Sequence, residues 1–206
     1  MFSFNIFDSS ISFTAAIIST IIVSFVFLKM SFSYTKKRAR KRYADGKLQV
    51  PSMSSFKNLS KLLFMSSMLL TLTSFWVSSS LFLTFHAQPV FQSIGVALVL
   101  FGYINLHRAF NNLGDNYSPL FDAYLPSSLV TTGSYRFIRH PIYLFNLFVS
   151  FGLAISSGSG IVVINATIGL LFILKTISIE EAYLKSHFDN YLAYSKNSWR
   201  LVPFLY

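Results

Sequence analysis

The chain has no cysteine. Disulfides, thiolate metal ligands, a cysteine nucleophile and lipidated cysteine are thereby excluded. Charge is also scarce: 12% of the 206 residues are charged, and 7 of them are acidic, against about a quarter charged in an average soluble domain. No Gly-x-Gly-x-x-Gly follows a strand pattern, so nothing points to a soluble dinucleotide fold. Trp is limited to Trp76 and Trp199. What is abundant is apolar surface, with 53% hydrophobic residues and 23 Phe. Uncharged stretches approaching bilayer thickness are more than a soluble core of this size needs, so lipid is the expected solvent.

Residues 11–28 and 62–85 are uncharged, and each is long enough to cross a ~30 Å hydrocarbon core at ~1.5 Å per residue. Residues 90–106 make a third span, and 142–155 with 161–174 read as a helical hairpin turned by Ser156-Ser157-Gly158-Ser159-Gly160. The hairpin helices are short and cross if they begin near Phe137 and continue to Ile179. The expected architecture is all-α and polytopic, with about five transmembrane helices, a C-terminal hairpin and a cytoplasmic interfacial tail helix. A single membrane domain over 1–206 is expected, with residues 1–106 forming three spans and 107–206 the catalytic half.

The seventeen basic residues fall in three groups: ten between Lys29 and Lys61, three between Arg108 and Arg139, and four from Lys175 onward. The positive-inside rule then places the N-terminus, the turn at 86–89 and the Ser/Gly hairpin tip outside, and the basic loop, central polar segment and C-terminus in the cytoplasm. The membrane would be the plasma membrane of a bacterium or the endoplasmic reticulum of a eukaryote. The first apolar segment lacks a positive n-region and is followed by a basic stop, so it reads as a retained helix rather than a cleaved signal. The basic run Lys36-Lys37-Arg38 with Arg40-Lys41-Arg42 is explained by topology and contact with anionic head groups, without nucleic acid.

Candidate chemistry lies after the third span, where Asp115, Asp122, Glu180, Glu181 and Asp189 join His107, His140 and His187. Two stretches stand out: Leu129-Val130-Thr131-Thr132-Gly133-Ser134-Tyr135-Arg136-Phe137-Ile138-Arg139-His140-Pro141-Ile142-Tyr143, and the tail from Glu180-Glu181 to Phe204. They bracket the hairpin. Gly133, Tyr135, Arg139, His140, Pro141 and Tyr143 follow a Gly-x-Tyr-x-x-x-Arg-His-Pro-x-Tyr pattern; Glu180-Glu181, Tyr191 with Tyr194, and Val202-Pro203-Phe204 follow it in order. On these residues the second half of the chain resembles the isoprenylcysteine carboxyl methyltransferases and their relatives among the phospholipid methyltransferases. Leu113-Gly114-Asp115-Asn116-Tyr117-Ser118 is similar to a Leu-Gly-x-x-Trp-Ser stretch of bacterial members.

The resemblance implies methyl transfer from S-adenosylmethionine to a lipophilic acceptor, with cofactor contacts at Leu129, Val130, Tyr135, His140, Pro141, Ile142, Tyr143 and Glu180. Pro141 at a helix start, with Arg139 and His140 beside it, makes an anion site: proline has no amide hydrogen to orphan there, and the next turn's amides are free for a ligand. Glu181 faces Lys185 at i,i+4, a surface pair worth ~0.2–0.5 kcal/mol, so Glu180 is the better site candidate. Where relatives place a substrate-holding Arg, this chain has Thr176 with Lys175 adjacent. Phe188-Asp189-Asn190-Tyr191 also lacks the usual Gly, and Leu144-Phe145 stands where many members carry one. A carboxylate acceptor needs a cation to position it, Lys175 or Arg200; an amine acceptor needs a base, for which Glu181 is nearest. No His pair at i,i+4 suggests a metal.

Two other classes compete. Membrane sterol reductases using NADPH carry a similar Arg-His-Pro-x-Tyr segment, but they are longer and richer in Trp. A transporter or non-enzymatic subunit would carry ionisable groups inside its spans, and here Lys175 alone lies near an end of one.

Overall fold

The computed structural model describes residues 89–116, 126, 128–205 and the isolated helical positions Leu59, Leu62, Ser66 and Leu69. The expected first span at 11–28, most of the second at 62–85 and nearly all of the basic loop 29–61 lie outside the described residues, as do His86 and Asp122. The described part is helical, with no strand.

Helix α1 runs Pro89–Leu113, well past the expected end at residue 106. No helix breaker occurs between Leu106 and Leu113, so the chain keeps its helical hydrogen bonds until Gly114 takes a left-handed φ of 52°. His107 and Arg108 therefore sit on the exposed side of a continuing helix rather than at its end.

Helix α2 is Pro141–Ser157. It does not reach back to Phe137, which follows the 3₁₀ turn Gly133–Arg136. The proline disfavours helical geometry at the residue before it, and His140 is accordingly at φ −122°, ψ 56°. Gly158 in the left-handed conformation ends α2, and after Ser159 helix α3 begins, Gly160–His187. The hairpin turn is thus shorter than the five small residues suggested. Helix α3, at 28 residues, spans ~42 Å and overshoots a ~30 Å core. It therefore continues beyond Ile179 and carries Glu180 and Glu181. Phe188 is extended, its N–H closing on the Leu184 carbonyl at 3.0 Å, and a six-residue helix α4 follows, Tyr191–Lys196. The tail is thus divided at Asp189-Asn190, residue types that favour turns.

Among the described residues two helices, Val90–Leu113 and Gly160–His187, are long and apolar enough to cross a membrane, and Pro141–Ser157 is a shorter apolar helix. Helices α1 and α2 pack along seams at helical spacing: Val99, Tyr103, Leu106 and Ala109 against Phe145, Val149 and Leu153. Lipid tails are as apolar as these side chains, so the association depends on close approach rather than on removing surface from water. Glycine provides that approach. A Cβ at Gly152 would lie 2.8 Å from the Gly95 carbonyl oxygen, and one at Gly95 would lie 2.5 Å from the Ser156 nitrogen. The other side of α2 faces α3 and the tail through Leu147, Ile177 and Leu201, with Tyr143, Phe151 and Ile173 around them. Farther along α3, Asn165 donates to the hydroxyl of Ser66 at 2.8 Å.

Candidate active site

The hairpin determines where the polar groups meet. Helix α2 is 17 residues long, so its start lies ~26 Å from the turn, and α3 returns to that height near its Glu pair. His140, Glu180 and Glu181 consequently converge at the end of the hairpin away from the tip.

Arg139 organises the cluster. Its side chain is 8% exposed, and its Nε donates to Glu181 Oε1 at 2.7 Å. Its Nη1 donates to the Ser195 carbonyl at 2.9 Å and to the Ser198 carbonyl, with Ser198 Oγ at 3.4 Å. Backbone contacts run parallel to these bonds: Arg139 N to Trp199 O at 2.7 Å, His140 N to Arg200 O at 3.1 Å and Trp199 N to Phe137 O at 2.9 Å. The tail is therefore stitched to the strip leading into α2 by one buried guanidinium and a short parallel bridge between Ile138 and Trp199. Tyr194 adds a bond from its hydroxyl to the Tyr135 carbonyl at 2.7 Å. Burial pushes the Tyr194 phenol up to about 12, so it remains a protonated donor at neutral pH.

Glu181 receives a second guanidinium, Arg200 Nε at 2.8 Å from Oε2, while Arg200 itself remains 41% exposed. Both of its oxygens are engaged, and His140 Nε2 lies 3.4 Å from Oε1, outside hydrogen-bond alignment. Glu181 is thus buried among cations, which corrects the expectation of a surface pair with Lys185. Helical spacing located Lys185 but could not show the two guanidiniums arriving from sequence positions 139 and 200. Glu180 approaches the other ring nitrogen of His140, Nδ1, at 3.6 Å. Among the described residues, the buried side-chain atoms without a hydrogen-bond partner are His140 Nε2, Glu180 Oε2, Tyr183 Oη and Tyr191 Oη. Orphaned buried polar atoms cost stability, and those of His140 and Glu180 lie together, His140 Nδ1 being 3.6 Å from Glu180 Oε2.

Of the expected site residues, Arg139, His140, Glu180, Glu181 and Arg200 are brought into contact. Tyr143 stacks near the His140 ring, centroids 5.7 Å apart. Pro141 is buried and starts α2, whereas Ile142 packs on the α1–α2 core. Tyr135 is buried in its 3₁₀ turn and joins the tail through its carbonyl. Leu129 and Val130 are half-buried in the segment before that turn. Lys175 is exposed, and at 100° per residue it lies more than a quarter turn of α3 from both glutamates. It is not brought to the cluster. Sequence reasoning missed the carbonyls of Ser195 and Ser198, because any residue type presents a carbonyl. Tyr183 and Tyr191 carried no decisive signal either, because the spacing of Tyr183, Phe188, Tyr191 and Tyr194 fits an interfacial belt at least as well as a stacking site.

Residues 90–191 match the sequence profile of the phospholipid methyltransferase family. Among curated proteins no sequence matches. Of solved structures, the eukaryotic intramembrane Ras methyltransferase, isoprenylcysteine carboxyl methyltransferase, solved without a monobody, is similar over 91% of this chain and 68% of its own, with a TM-score of 0.57 and 21% identity. That likeness is one of fold, and it extends through most of the chain.

Proposed function

Since residues 90–191 of this chain belong to the phospholipid methyltransferase family, we propose that the protein transfers a methyl group from S-adenosylmethionine to a membrane-borne acceptor. The observation that carries this is the set of unpartnered polar atoms on His140, Glu180 and Tyr191 at the end of the hairpin away from its tip. These atoms fit the cofactor's amino-acid end, since a buried carboxylate accepts from an ammonium or ribose hydroxyl, and a histidine N–H and a phenol donate to a carboxylate. Bound there, the cofactor supplies an electrophilic methyl on a sulfonium.

The chain's own residues bind and align. His140 is held by its backbone bond to Arg200 and by Tyr143 at its ring. Glu180 keeps an oxygen without a hydrogen bond, 3.6 Å from His140 Nδ1, and Arg139 locks the tail beside it. Alignment and exclusion of water account for most of the acceleration such a reaction needs. Leu129, Val130, Tyr135, Pro141 and Ile142 belong to the cofactor side of this reading as wall and scaffold.

For the acceptor we favour the carboxylate of an isoprenoid-linked or acyl-linked molecule. Glu181 has both oxygens taken by guanidiniums, which favours its ionised form and makes it a poor proton acceptor. A carboxylate acceptor is already ionised and needs only a cation, for which Arg200 at the pocket edge is better placed than Lys175. The family match supports a second reading, a phospholipid amine. Basic-residue asymmetry supports a cytoplasmic position for the pocket, with residues 1–106 serving as the membrane anchor and 107–206 as the catalytic half.

The test uses purified protein, methyl-labelled cofactor and host lipid extract. Treating the product with mild base releases volatile methanol from a methyl ester and leaves an N-methyl group in place. Base-stable label in a head group refutes the carboxylate acceptor. In parallel, His140→Ala and Glu180→Ala should each abolish binding of S-adenosylhomocysteine by calorimetry while extracting as monodisperse protein. If both bind like the parent, the pocket itself is wrong.

A further inference from the structure

We propose that the phenol of Tyr191 donates a hydrogen bond to the carboxylate at the amino-acid end of the cofactor. This inference rests on reading the cluster as an S-adenosylmethionine pocket and deepens that reading. Tyr191 opens α4 and is 3% exposed, yet its hydroxyl has no hydrogen-bond partner. A phenylalanine would fill the same volume without desolvating a hydroxyl, so in the ligand-free protein that oxygen is a cost with no return.

The ring has a defined place. It packs edge-on to Tyr194 with centroids 6.0 Å apart. Tyr194 is bonded to the Tyr135 carbonyl, and the end of α4 is pinned where Arg139 donates to Ser195 O and Ser198 O. The charged groups whose fields reach the phenol are Glu181, Arg139 and Glu180. Burial first, and then the two carboxylates, hold the phenol in its protonated form, partly opposed by Arg139. A protonated phenol is a donor.

Neither glutamate already serves as its acceptor, since Glu181 is occupied by Arg139 and Arg200 and Glu180 Oε2 is itself orphaned. A carboxylate oxygen, a ring nitrogen and a phenol that make no hydrogen bond suit a ligand that presents a cation and an anion close together. An amino-acid zwitterion has that pattern: its ammonium suits Glu180, and its carboxylate suits Tyr191 and His140. Tyr183 has a similar orphan hydroxyl, but its ring lies against the exposed His187, 4.1 Å between centroids, at the end of α3.

The test is Tyr191→Phe in the full chain in detergent. It is titrated with S-adenosylhomocysteine and, by competition, with 5′-methylthioadenosine, which lacks the amino-acid end. Affinity for S-adenosylhomocysteine should fall about ten- to a hundredfold, as for loss of a hydrogen bond to a charged group. Affinity for 5′-methylthioadenosine should not change, and the ligand-free melting midpoint should stay level or rise. Unchanged S-adenosylhomocysteine affinity, an equal loss for both ligands, or a lowered ligand-free midpoint would each overturn the proposal, the last by showing a structural role. A parent protein that binds neither ligand refutes the pocket reading beneath it, and the proposal with it.

Discussion

Replacing Arg139 by Met should unfasten the C-terminal segment from the hairpin. The substitution keeps a long apolar side chain but removes the 2.7 Å contact with Glu181 and the bonds to the Ser195 and Ser198 carbonyls. Glu181, 8% exposed, is then left with Arg200, whose side chain is 41% exposed, and the unaligned His140. Breaking a buried pair from one side costs about 3–5 kcal/mol, because the surviving charge remains desolvated. The two carbonyls add little beyond that, since the released tail can turn them to water. For a protein of this length each kcal/mol is worth roughly 2–4 °C, so the ligand-free midpoint should fall by about 6–20 °C. Arg139→Lys should recover part of that loss, as one ammonium can meet Glu181 or the carbonyls but lacks the fork that meets both. Arg139→Met combined with Glu181→Gln should lose less than the sum of the single changes, by about 1–3 kcal/mol. Thermal unfolding in detergent with calorimetric binding of S-adenosylhomocysteine reads both quantities. A midpoint within about 2 °C of the parent, together with lost binding, would refute the clamp and make Arg139 a ligand contact.

Gly152→Val should separate α1 from α2, because even a Cβ there meets the Gly95 carbonyl oxygen at 2.8 Å and the Val99 nitrogen at 2.9 Å. A loss of about 1–3 kcal/mol is expected from such overpacking, read as a lower midpoint, and a parent-like midpoint would show that the helices do not approach this closely. For Tyr194, the folded-state value of about 12 lies above the ordinary phenol value of 10.0, and its stabilisation is therefore full below about pH 10 and lost between 10 and 12. Tyr194→Phe should cost about 1 kcal/mol at neutral pH and shallow the alkaline loss, so an unchanged alkaline limb would contradict the assignment. Single cysteine labels are interpretable in a chain without Cys. A label at Ser157 should react with an impermeant reagent from outside intact cells and one at Ser127 should not, and the reverse pattern would move the site across the membrane.

Much of the outline was legible in the chain itself. Scarce charge and long apolar runs select the bilayer as solvent, and a bilayer admits helices because every backbone group must be satisfied within its own segment. Pro141 and Gly158 are local punctuation, so the start of α2 and its left-handed end follow from residue type, although the expected start at Phe137 ignored what Pro141 does to the residue before it. His140 and Glu180 were identifiable as candidate site residues from the two blocks flanking the hairpin, and the fold brings them to within 3.6 Å of each other.

What only the tertiary structure decided is how the charges pair. Helical periodicity assigned Glu181 to Lys185, one turn away, whereas the fold surrounds it with Arg139 and Arg200, which are distant along the chain. The tail could not be divided into the end of α3 and α4 from its pattern, nor could Tyr191 be separated from a membrane belt, because a tyrosine looks the same in either place until its hydroxyl is found buried and unpartnered. Local sequence sets backbone conformation through interactions over a few residues. The partner of a buried charge is set by which segments the hairpin returns to the same height, and that depends on helix lengths and close glycine contacts summed over the whole fold.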